Sequence, residues 1–363
     1  MLSKISRLLK SKIRSLIYGK KIEKIVDGTP DGIDFETVDK IAVRHFEEHV
    51  SHISHIHISG WKKSGAYKLY LKTEKNHSRT LIFKNAVYFY DHIPALDGLP
   101  INPGPAEYQI YKNANGNLSK YLPKVFHSEE IVPNRHYKYI LEDLGEEYQR
   151  NTSAETILST INEMSAIHLA LKESLSDYIQ VNLPKYDRNY SIDLLKYVRK
   201  NLEDYSQKSK SKAVSDLLKL WPGVLKVYNT GKFHDTKNTQ LIHGDFNSAN
   251  VLVNKKNIKQ IKLIDWEWAG LGPLSADLAS LLKATAPEVE EDALTAFSKL
   301  NNQNNDEKRQ LYQWCKMDRG LLDASFCAAQ VIKCPVKTRF NLAGFIEKSM
   351  IRALDAYHEL DES

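Results

Sequence analysis

The sequence predicts an α+β fold in which a small, mostly antiparallel β-rich lobe is followed by a large, mostly helical lobe. Strand-like alternation is confined to residues 51–142, whereas from residue 151 onward apolar residues recur at three- and four-residue steps, which is helical spacing. One short β-like island, residues 241–266, interrupts the helical part. The predicted organisation is an N-terminal segment 1–26, an N-lobe 34–142, a hinge 143–150 and a C-lobe 151–363, with a cleft between the lobes.

The composition is that of a soluble globular protein. The 363 residues include 26% charged and 42% hydrophobic residues, which argues against a disordered or collagen-like chain. No apolar run approaches the roughly 18–20 residues that a membrane-spanning helix needs. None of the cysteines stands in a C-x-x-C arrangement, which predicts reduced thiols on the helices of a cytoplasmic protein. These cysteines are Cys315, Cys327 and Cys334.

The net charge of +6 is concentrated in residues 1–24, which contain eight basic residues and a single acid, Glu23. The rest of the chain is close to neutral, which argues against a nucleic-acid partner. Apolar residues of this segment share one face of a predicted helix. Three interpretations stay open: peripheral contact with an anionic membrane surface, a mitochondrial transit peptide, or a helix docked on the protein's own body.

The elements of the N-lobe follow from turn residues and periodicity. The turn at 27–32 precedes a helix that Asp34 caps and that extends to about Val50. Alternating apolar residues then predict strands at 51–59, 66–73 and 80–88. Pro103-Gly104-Pro105 opens a helix that starts near Ala106, and a last strand spans His136–Glu142.

A group of histidines lies at the start of the N-lobe. His45 and His49 stand four residues apart on the predicted helix, with His52, His55 and His57 nearby. A transition-metal site is one interpretation, and solvated histidines are the commoner case.

The C-lobe begins with a helix that Ser153 caps. Further helices are predicted at 191–205, 211–228, 288–300, 306–332 and 339–360. In the β-like island, the apolar segments Val251–Val253 and Ile261–Ile264 flank a polar turn, which predicts a hairpin.

This hairpin carries the predicted chemistry. It brings Asn250 and Asp265 close together, and oxygen-bearing side chains with nucleotide phosphates are the ligands that Mg²⁺ prefers. Asp245 precedes Asn250 by five residues on the same loop, where it can accept or orient the proton of an attacking hydroxyl. Phosphoryl transfer needs positioning, metal ions that neutralise phosphate charge, and a carboxylate at the nucleophile. The sequence therefore predicts phosphoryl transfer.

Two motifs resemble those of the aminoglycoside phosphotransferase and choline kinase-like family, which shares the bilobal fold of protein kinases. The motifs are His243-Gly244-Asp245 followed by Asn250, and Ile264-Asp265-Trp266-Glu267. The similarity is strongest over 239–282 and weaker over about 56–170. The resemblance implies an ATP- and Mg²⁺-dependent enzyme with a protein kinase-like fold.

The resemblance implies a role for each matching C-lobe residue. Asp245 would be the catalytic base, and Asn250 and Asp265 the Mg²⁺ ligands. His243 and Asp277 would be structural, with Asp277 supporting the catalytic loop, by which we mean residues 243–250. His168, on the first long C-lobe helix, is also expected to be structural.

In the N-lobe, the resemblance implies a nucleotide site. Lys84 would reach the α- and β-phosphates, and Glu107 would pair with Lys84. Glu142 and Leu144 match the hinge whose backbone holds adenine. Ser64 and Gly65 end the phosphate-covering turn 59–65, which lacks the G-x-G-x-x-G pattern.

The sequence thus predicts an enzyme that moves the γ-phosphoryl of MgATP to a hydroxyl of a small-molecule acceptor. Aminoglycosides, choline or ethanolamine, sugars and related alcohols all stay open as acceptors. The acceptor is expected on the C-lobe, between the catalytic loop and the helices after residue 283. The alternative is a catalytically weak pseudokinase that acts as a nucleotide-binding or membrane-recruited scaffold. A protein kinase is disfavoured, because no A-P-E-like segment follows Asp265.

Overall fold

The computed structural model describes most of the chain. The described residues are 25–61, 64–89, 93–175, 182–230, 239–300, 305–333 and 336–361. Contacts divide the chain into two compact units, the first reaching Asn85 and including Tyr139–Asp143, the second comprising Ala86–Lys138 and Leu144–Ser363. Residues 86–138, which the sequence analysis assigns to the N-lobe, thus group with the second unit, and the lobe boundaries stay predictions.

The basic segment 1–24 lies outside the described residues, and so does Cys334. The three interpretations of the segment therefore stay predictions. Among the helices of the described ranges, none combines the length and apolar character that crossing a membrane requires.

The first unit opens with helix α1, Phe35–Phe46, which confirms the predicted helix. Its cap is Asp34, whose carboxylate accepts a hydrogen bond from the Thr37 N–H at 2.7 Å. The helix stops before Val50 because Glu47 adopts a left-handed conformation with φ of 58°. The Val50 N–H instead donates to Asp39 Oδ1 at 2.7 Å, which turns the chain into the first long strand.

The three predicted strands that follow are confirmed, with longer bounds. The strands of this sheet are β1 Val26–Asp27, β2 Val50–Trp61, β3 Ser64–Thr73, β4 Ser78–Val87, β5 Val125–Val132 and β6 His136–Glu142. Their order in the sheet is β1-β2-β3-β4-β6-β5, and the β2–β3 and β3–β4 pairs are antiparallel. Buried side chains of the first unit include Ile53, Leu69, Leu71, Leu81 and Phe83.

The histidine group on α1 and β2 has local partners. His49 Nδ1 lies 2.9 Å from Asp39 Oδ2, and His55 Nδ1 lies 2.8 Å from the carbonyl oxygen of Gly28. In the described ranges, no three His, Cys, Asp or Glu side chains come together as metal ligands would.

The second unit begins with two short helices and strand β5. The helices are α2 Pro105–Asn113 and α3 Gly116–Ser119, and Pro105 stands in the first turn of α2, where its missing N–H costs nothing. Strand β5 was not predicted from the sequence. No residue of this strand is buried, so it carries none of the alternation by which strands are recognised.

The remaining helices confirm the predicted helical lobe. They are α4 Ala154–Ser174, α5 Arg188–Ser206, α6 Lys212–Lys219, α7 Trp221–Asn229, α8 Leu274–Leu281, α9 Pro287–Leu300, α10 Asn305–Lys333 and α11 Val336–Asp361. Ser153 caps α4 in a capping box with Thr156, as predicted from its position. The single helix predicted at 211–228 is wrong: Pro222 lacks an N–H and disfavours helical geometry before it, so α6 and α7 meet at Leu220.

The β-like island forms two small sheets that frame the catalytic loop. β8 Thr239–Ile242 pairs with β11 Gly270–Pro273, so the strand entering the loop is fixed to the strand that precedes α8. β9 Val251–Asn254 pairs with β10 Ile261–Leu263 and with β7 Tyr148–Arg150. Both pairings hold the ends of residues 243–250 on buried strands.

Candidate active site

The predicted hairpin is confirmed, and its register brings Asn250 next to Asp265. Leu263 pairs with Val251, and the Ile264 N–H donates to the Asn250 carbonyl oxygen at 3.0 Å. Asn250 therefore stands opposite the residue that immediately precedes Asp265. Asp265 itself has a φ of 66°, a left-handed conformation in which the chain turns sharply out of β10.

The carboxylate of Asp277 fixes the start of the catalytic loop. The backbone N–H groups of His243 and Gly244 donate to its two oxygens, each at 2.9 Å. His168 Nε2 lies 2.9 Å from the same carboxylate, and the Asp277 side chain is fully buried. Because buried carboxylates are stable only when hydrogen-bonded or paired, these contacts lock the loop onto helix α8.

His168 anchors this carboxylate from the opposite side. Its Nδ1–H donates to the carbonyl oxygen of Met164 at 2.7 Å, and its Nε2 faces Asp277. Both ring nitrogens thus face oxygen atoms of neighbouring residues. The contact ties α4 to α8, and the structural role expected for His168 stays a prediction.

His243 connects the loop with the hairpin. Its ring is buried, donates from Nε2 to the Ile264 carbonyl oxygen at 3.1 Å, and lies 4.2 Å from the Trp266 ring. Nδ1 accepts a hydrogen bond from the Asp245 N–H at 3.3 Å. Burial lowers the pKa of His243, against the opposing effect of Asp277, so the ring is neutral and can accept at Nδ1.

Gly244 allows the loop to pass close to the turn that precedes β11. Its φ is +76°, and a β-carbon on it would collide with the carbonyl oxygen of Trp268. Only glycine satisfies both the left-handed backbone and this close approach. The residue between His243 and Asp245 in the motif is therefore set by packing.

Asp245 is held as a carboxylate. Asn250 Nδ2 donates to its Oδ2 at 2.9 Å, and the guanidinium of Arg319 donates to its Oδ1 and to the carbonyl oxygen of Gly244. Burial acts to raise the pKa of Asp245, but Arg319, Lys283 and other neighbouring groups lower it, and the pKa lies below its ordinary value. Asp245 is therefore ionised at neutral pH.

The hairpin residues fit a divalent cation by their donor atoms. The Asn250 amide nitrogen is committed to Asp245, through its backbone oxygen at 3.0 Å and through Oδ2, which leaves the amide oxygen as the atom that can bind a cation. Asp265 contributes a carboxylate at the neighbouring position. Oxygen donors of this kind suit Mg²⁺.

Three charged residues that surround Asp245 were not predicted from the sequence. Arg319 Nε lies 2.9 Å from Asp323 Oδ1, and Lys283 Nζ lies 3.9 Å from Asp245 Oδ1 and 3.6 Å from Asp323 Oδ2. Together with the Arg319–Asp245 pair, these contacts close a ring of two acids and two bases, which we call the charge ring. The only sequence signal was the four-residue spacing of Arg319 and Asp323 on one helix.

The other predicted nucleotide residues are distributed over both units. Lys84 lies on β4 opposite Ala66, in the first unit, whereas Glu107 is fully buried on α2 of the second. Their pairing stays a prediction. Glu142 ends β6 and Leu144 begins the following segment of the second unit.

The phosphate-covering turn is described only in part. Ser64 and Gly65 open strand β3, directly after residues 62–63, which lie outside the described ranges. The backbone pairs Gly65 with Gly60 on β2 and with Asn85 on β4. The phosphate contacts expected of Ser64 and Gly65 stay predictions.

Several solved structures resemble this fold. Spectinomycin phosphotransferase APH(9)-Ia, solved with ADP and spectinomycin, has a TM-score of 0.57 at 14% identity over 90% of this chain and 99% of its own. The amicoumacin kinase hAmiN, solved with AMP-PNP, Ca²⁺ and amicoumacin, has a TM-score of 0.53 at 13% identity over 88% of this chain and 94% of its own. A putative aminoglycoside phosphotransferase from Ralstonia eutropha has a TM-score of 0.53 at 12% identity over 90% of this chain and 98% of its own.

These similarities establish a kinase-like α+β fold, as predicted. The sequence matches none of the curated proteins with which it was compared. The model of the phosphotransferase enzyme family (APH) matches residues 105–315, which include the catalytic loop, the hairpin and Asp277. Because this match covers more than half of the chain, the chain belongs to the phosphotransferase enzyme family.

Proposed function

We propose that the chain transfers the γ-phosphoryl group of MgATP to a hydroxyl of a small-molecule acceptor. The observation that carries the proposal is the ionised carboxylate of Asp245 hydrogen-bonded to Asn250, which the hairpin holds beside Asp265. Family membership supports phosphoryl transfer, and relatives of similar fold were solved with ADP or AMP-PNP, which supports a nucleotide donor. Aminoglycosides, choline or ethanolamine, sugars and related alcohols stay the candidate acceptors.

In this proposal, Asp245 orients the acceptor hydroxyl and receives its proton late in the reaction. A carboxylate whose pKa is held low by Arg319 is a weak base, so its main contribution is to position the nucleophile. That suits phosphoryl transfer, whose transition state is loose and asks little proton abstraction in advance. Asp277 and His243 keep the loop in place while the acceptor binds.

Asn250 and Asp265 would hold Mg²⁺, which supplies positive charge to the phosphate oxygens when bound. Lys84 would bind the α- and β-phosphates with Glu107 as its partner, and the backbone of Glu142 and Leu144 would hold adenine. Ser64 and Gly65 would lie over the phosphates. These assignments rest on the resemblance of the motifs.

Replacing Asp245 tests the proposal. After an acceptor screen with labelled ATP has identified a substrate, Asp245→Asn should lower kcat by roughly 10²–10⁴-fold, because the amide neither orients the hydroxyl as the carboxylate does nor receives its proton. MgATP binding, measured by calorimetry, should be retained. Asp193→Asn is the control, since Asp193 is 58% exposed and pairs with Lys196 on the surface of α5.

Unchanged turnover in Asp245→Asn would refute the assignment of the catalytic residue. MgATP binding by the wild type without transfer to any acceptor in the panel would favour the alternative, a nucleotide-binding scaffold of the pseudokinase type.

A further inference from the structure

The two bases of the charge ring, Arg319 and Lys283, lie at different distances from its two carboxylates. Arg319 donates one hydrogen bond to the Asp245 carboxylate, and its Nε lies 2.9 Å from Asp323 Oδ1. Lys283 lies 3.9 and 3.6 Å from the same two carboxylates, beyond the 2.7–3.2 Å that hydrogen bonds span. Arg319 therefore neutralises the acids by direct contact, whereas Lys283 is held only by longer-range attraction.

Lys283 keeps its hydrogen-bond donors available. Within the described part of the chain, its Nζ makes no hydrogen bond, although its side chain is only 22% exposed. The Phe345 ring also lies near Lys283, with its centre 5.9 Å from Nζ. An ammonium group that has lost much of its water without gaining an acceptor favours a ligand that brings one.

The backbone of Lys283 follows directly from the helix that holds the catalytic loop. It lies on the turn Leu282–Ala284, which continues helix α8, and α8 carries Asp277. The same element thus fixes the loop through Asp277 and places the Lys283 side chain near Asp245.

The catalytic loop contains no positive charge of its own. Residues 243–250 include neither lysine nor arginine, and Asp245 adds a negative charge where a phosphoryl group has to approach its acceptor. Phosphoryl transfer requires positive charge at the transferring oxygens. Because the charge ring is neutral as a whole, an incoming oxyanion meets no uncompensated carboxylate there.

We propose that Lys283 binds a phosphate-type oxyanion that is held against Asp245. This inference rests on the proposed function and deepens it, since it names a residue and a ligand chemistry that the motifs do not contain. On binding, Nζ would exchange its long ion pairs for charge-assisted hydrogen bonds to the oxyanion, while Arg319 continues to neutralise Asp245 and Asp323. The oxyanion comes either from the γ-phosphoryl of the nucleotide or from an anionic group of the acceptor.

The experiment compares the full-length wild type with Lys283→Gln by calorimetry, with no acceptor needed. The probes are Mg·ADP, Mg·AMP-PNP, and Mg·ADP with aluminium fluoride, a mimic of the transferring phosphoryl. If the γ-phosphoryl is the ligand, Lys283→Gln should bind Mg·AMP-PNP, Mg·ADP with aluminium fluoride, or both about tenfold to a hundredfold more weakly than the wild type does. Its affinity for Mg·ADP alone should be unchanged. Lys283→Arg should recover part of the loss.

A second arm detects an acceptor-borne anion. Inorganic phosphate is titrated into protein already saturated with Mg·AMP-PNP, in which the γ position is filled. Unchanged affinities for all three nucleotide probes, together with a loss of phosphate binding in Lys283→Gln, would assign the oxyanion to the acceptor.

Lys316→Gln is the matched control. Lys316 lies on the neighbouring helix α10 with similar exposure, 15%, but its Nζ already pairs with Glu290 at 2.6 Å. Equal affinities of wild type and Lys283→Gln for every probe would overturn the inference about Lys283 alone. Failure of the wild type to bind Mg·AMP-PNP would instead overturn the proposed function and the inference with it.

Discussion

Asp318 lies in an environment that differs strongly from that of an exposed carboxyl group. It lies on α10 one position before Arg319 and accepts a hydrogen bond from the Tyr228 hydroxyl at 2.8 Å. Burial raises its pKa to about 7, although Tyr228 and Arg319 both act to lower it. In the folded protein Asp318 thus keeps its proton over a pH range in which an exposed carboxyl group has lost it.

Asp318 should make stability fall as pH rises. Its pKa is about 3.9 in an unfolded chain and about 7 here, so from about pH 4 to pH 7 only the folded state holds the proton. The free energy of unfolding should decline across that window by at most about 4 kcal/mol, and change little from this group above it. Asp318→Asn, which cannot titrate, should lack this decline.

Urea unfolding at a series of pH values measures the difference between wild type and variant, which isolates Asp318 from other titrating groups. Asp216→Asn serves as the control because Asp216 pairs with Lys219 at the surface of α6. Parallel stability curves for wild type and Asp318→Asn would show that Asp318 is ionised in the folded protein.

Sequence motifs identified only part of the site at this scale. Asp245, Asn250, Asp265 and Asp277 could be named because they lie within one continuous stretch of sequence. Arg319 could not be named in this way, because it contacts Asp245 from 74 positions away in the sequence. Its spacing to Asp323 is that of any ion pair on a helix, so nothing local distinguishes it.

At the scale of elements, the spacing of apolar residues identified the strands and helices that have a buried face. The hairpin of β9 and β10 was predictable because its residues are apolar and its turn is polar. Strand β5 was not, since its residues stay at least partly exposed. The boundary between α6 and α7 was missed because the apolar pattern continues through Leu220 while Pro222 interrupts the backbone.

The tight packing of the catalytic loop against Trp268 predicts that Gly244→Ala is severely disruptive. The left-handed backbone alone disfavours alanine by about 1 kcal/mol. The collision with the Trp268 carbonyl oxygen must additionally displace the loop or the turn that carries Trp268. We expect a loss of more than about 2 kcal/mol in unfolding free energy, together with loss of phosphoryl transfer.

Gly116→Ala is the matched control for the backbone effect. Gly116 also has a positive φ, +49°, but a β-carbon there would meet nothing within 4 Å. This variant should lose only about 1 kcal/mol. Equal losses in the two variants, measured by urea unfolding, would show that packing against Trp268 contributes nothing.

At the scale of the whole molecule, the succession of a β-rich part and a helical part follows from where the periodicity changes. The order of the strands in the sheet cannot be predicted from the periodicity. β4 lies beside β6 in the sheet, with β5 outside it. Such pairing joins distant segments and leaves no local pattern in the sequence. Strand β1, Val26–Asp27, likewise forms by pairing with β2, whereas its residues lie at the edge of a segment that has only turn chemistry.

If Asn250 and Asp265 hold the metal of a bound nucleotide, the whole protein should gain thermal stability from MgATP. A ligand that binds only the folded state stabilises it by about 2.7 kcal/mol at a hundredfold excess over Kd. We therefore expect Tm to rise by several degrees with MgATP, and this rise to disappear with EDTA. Asp265→Asn should lose most of the metal-dependent rise in Tm, because an amide replaces the charged ligand. A thermal shift titration measures these changes, with Asp216→Asn as a surface control that should respond as the wild type does. An equal rise in Asp265→Asn, with the same dependence on Mg²⁺, would place the metal elsewhere.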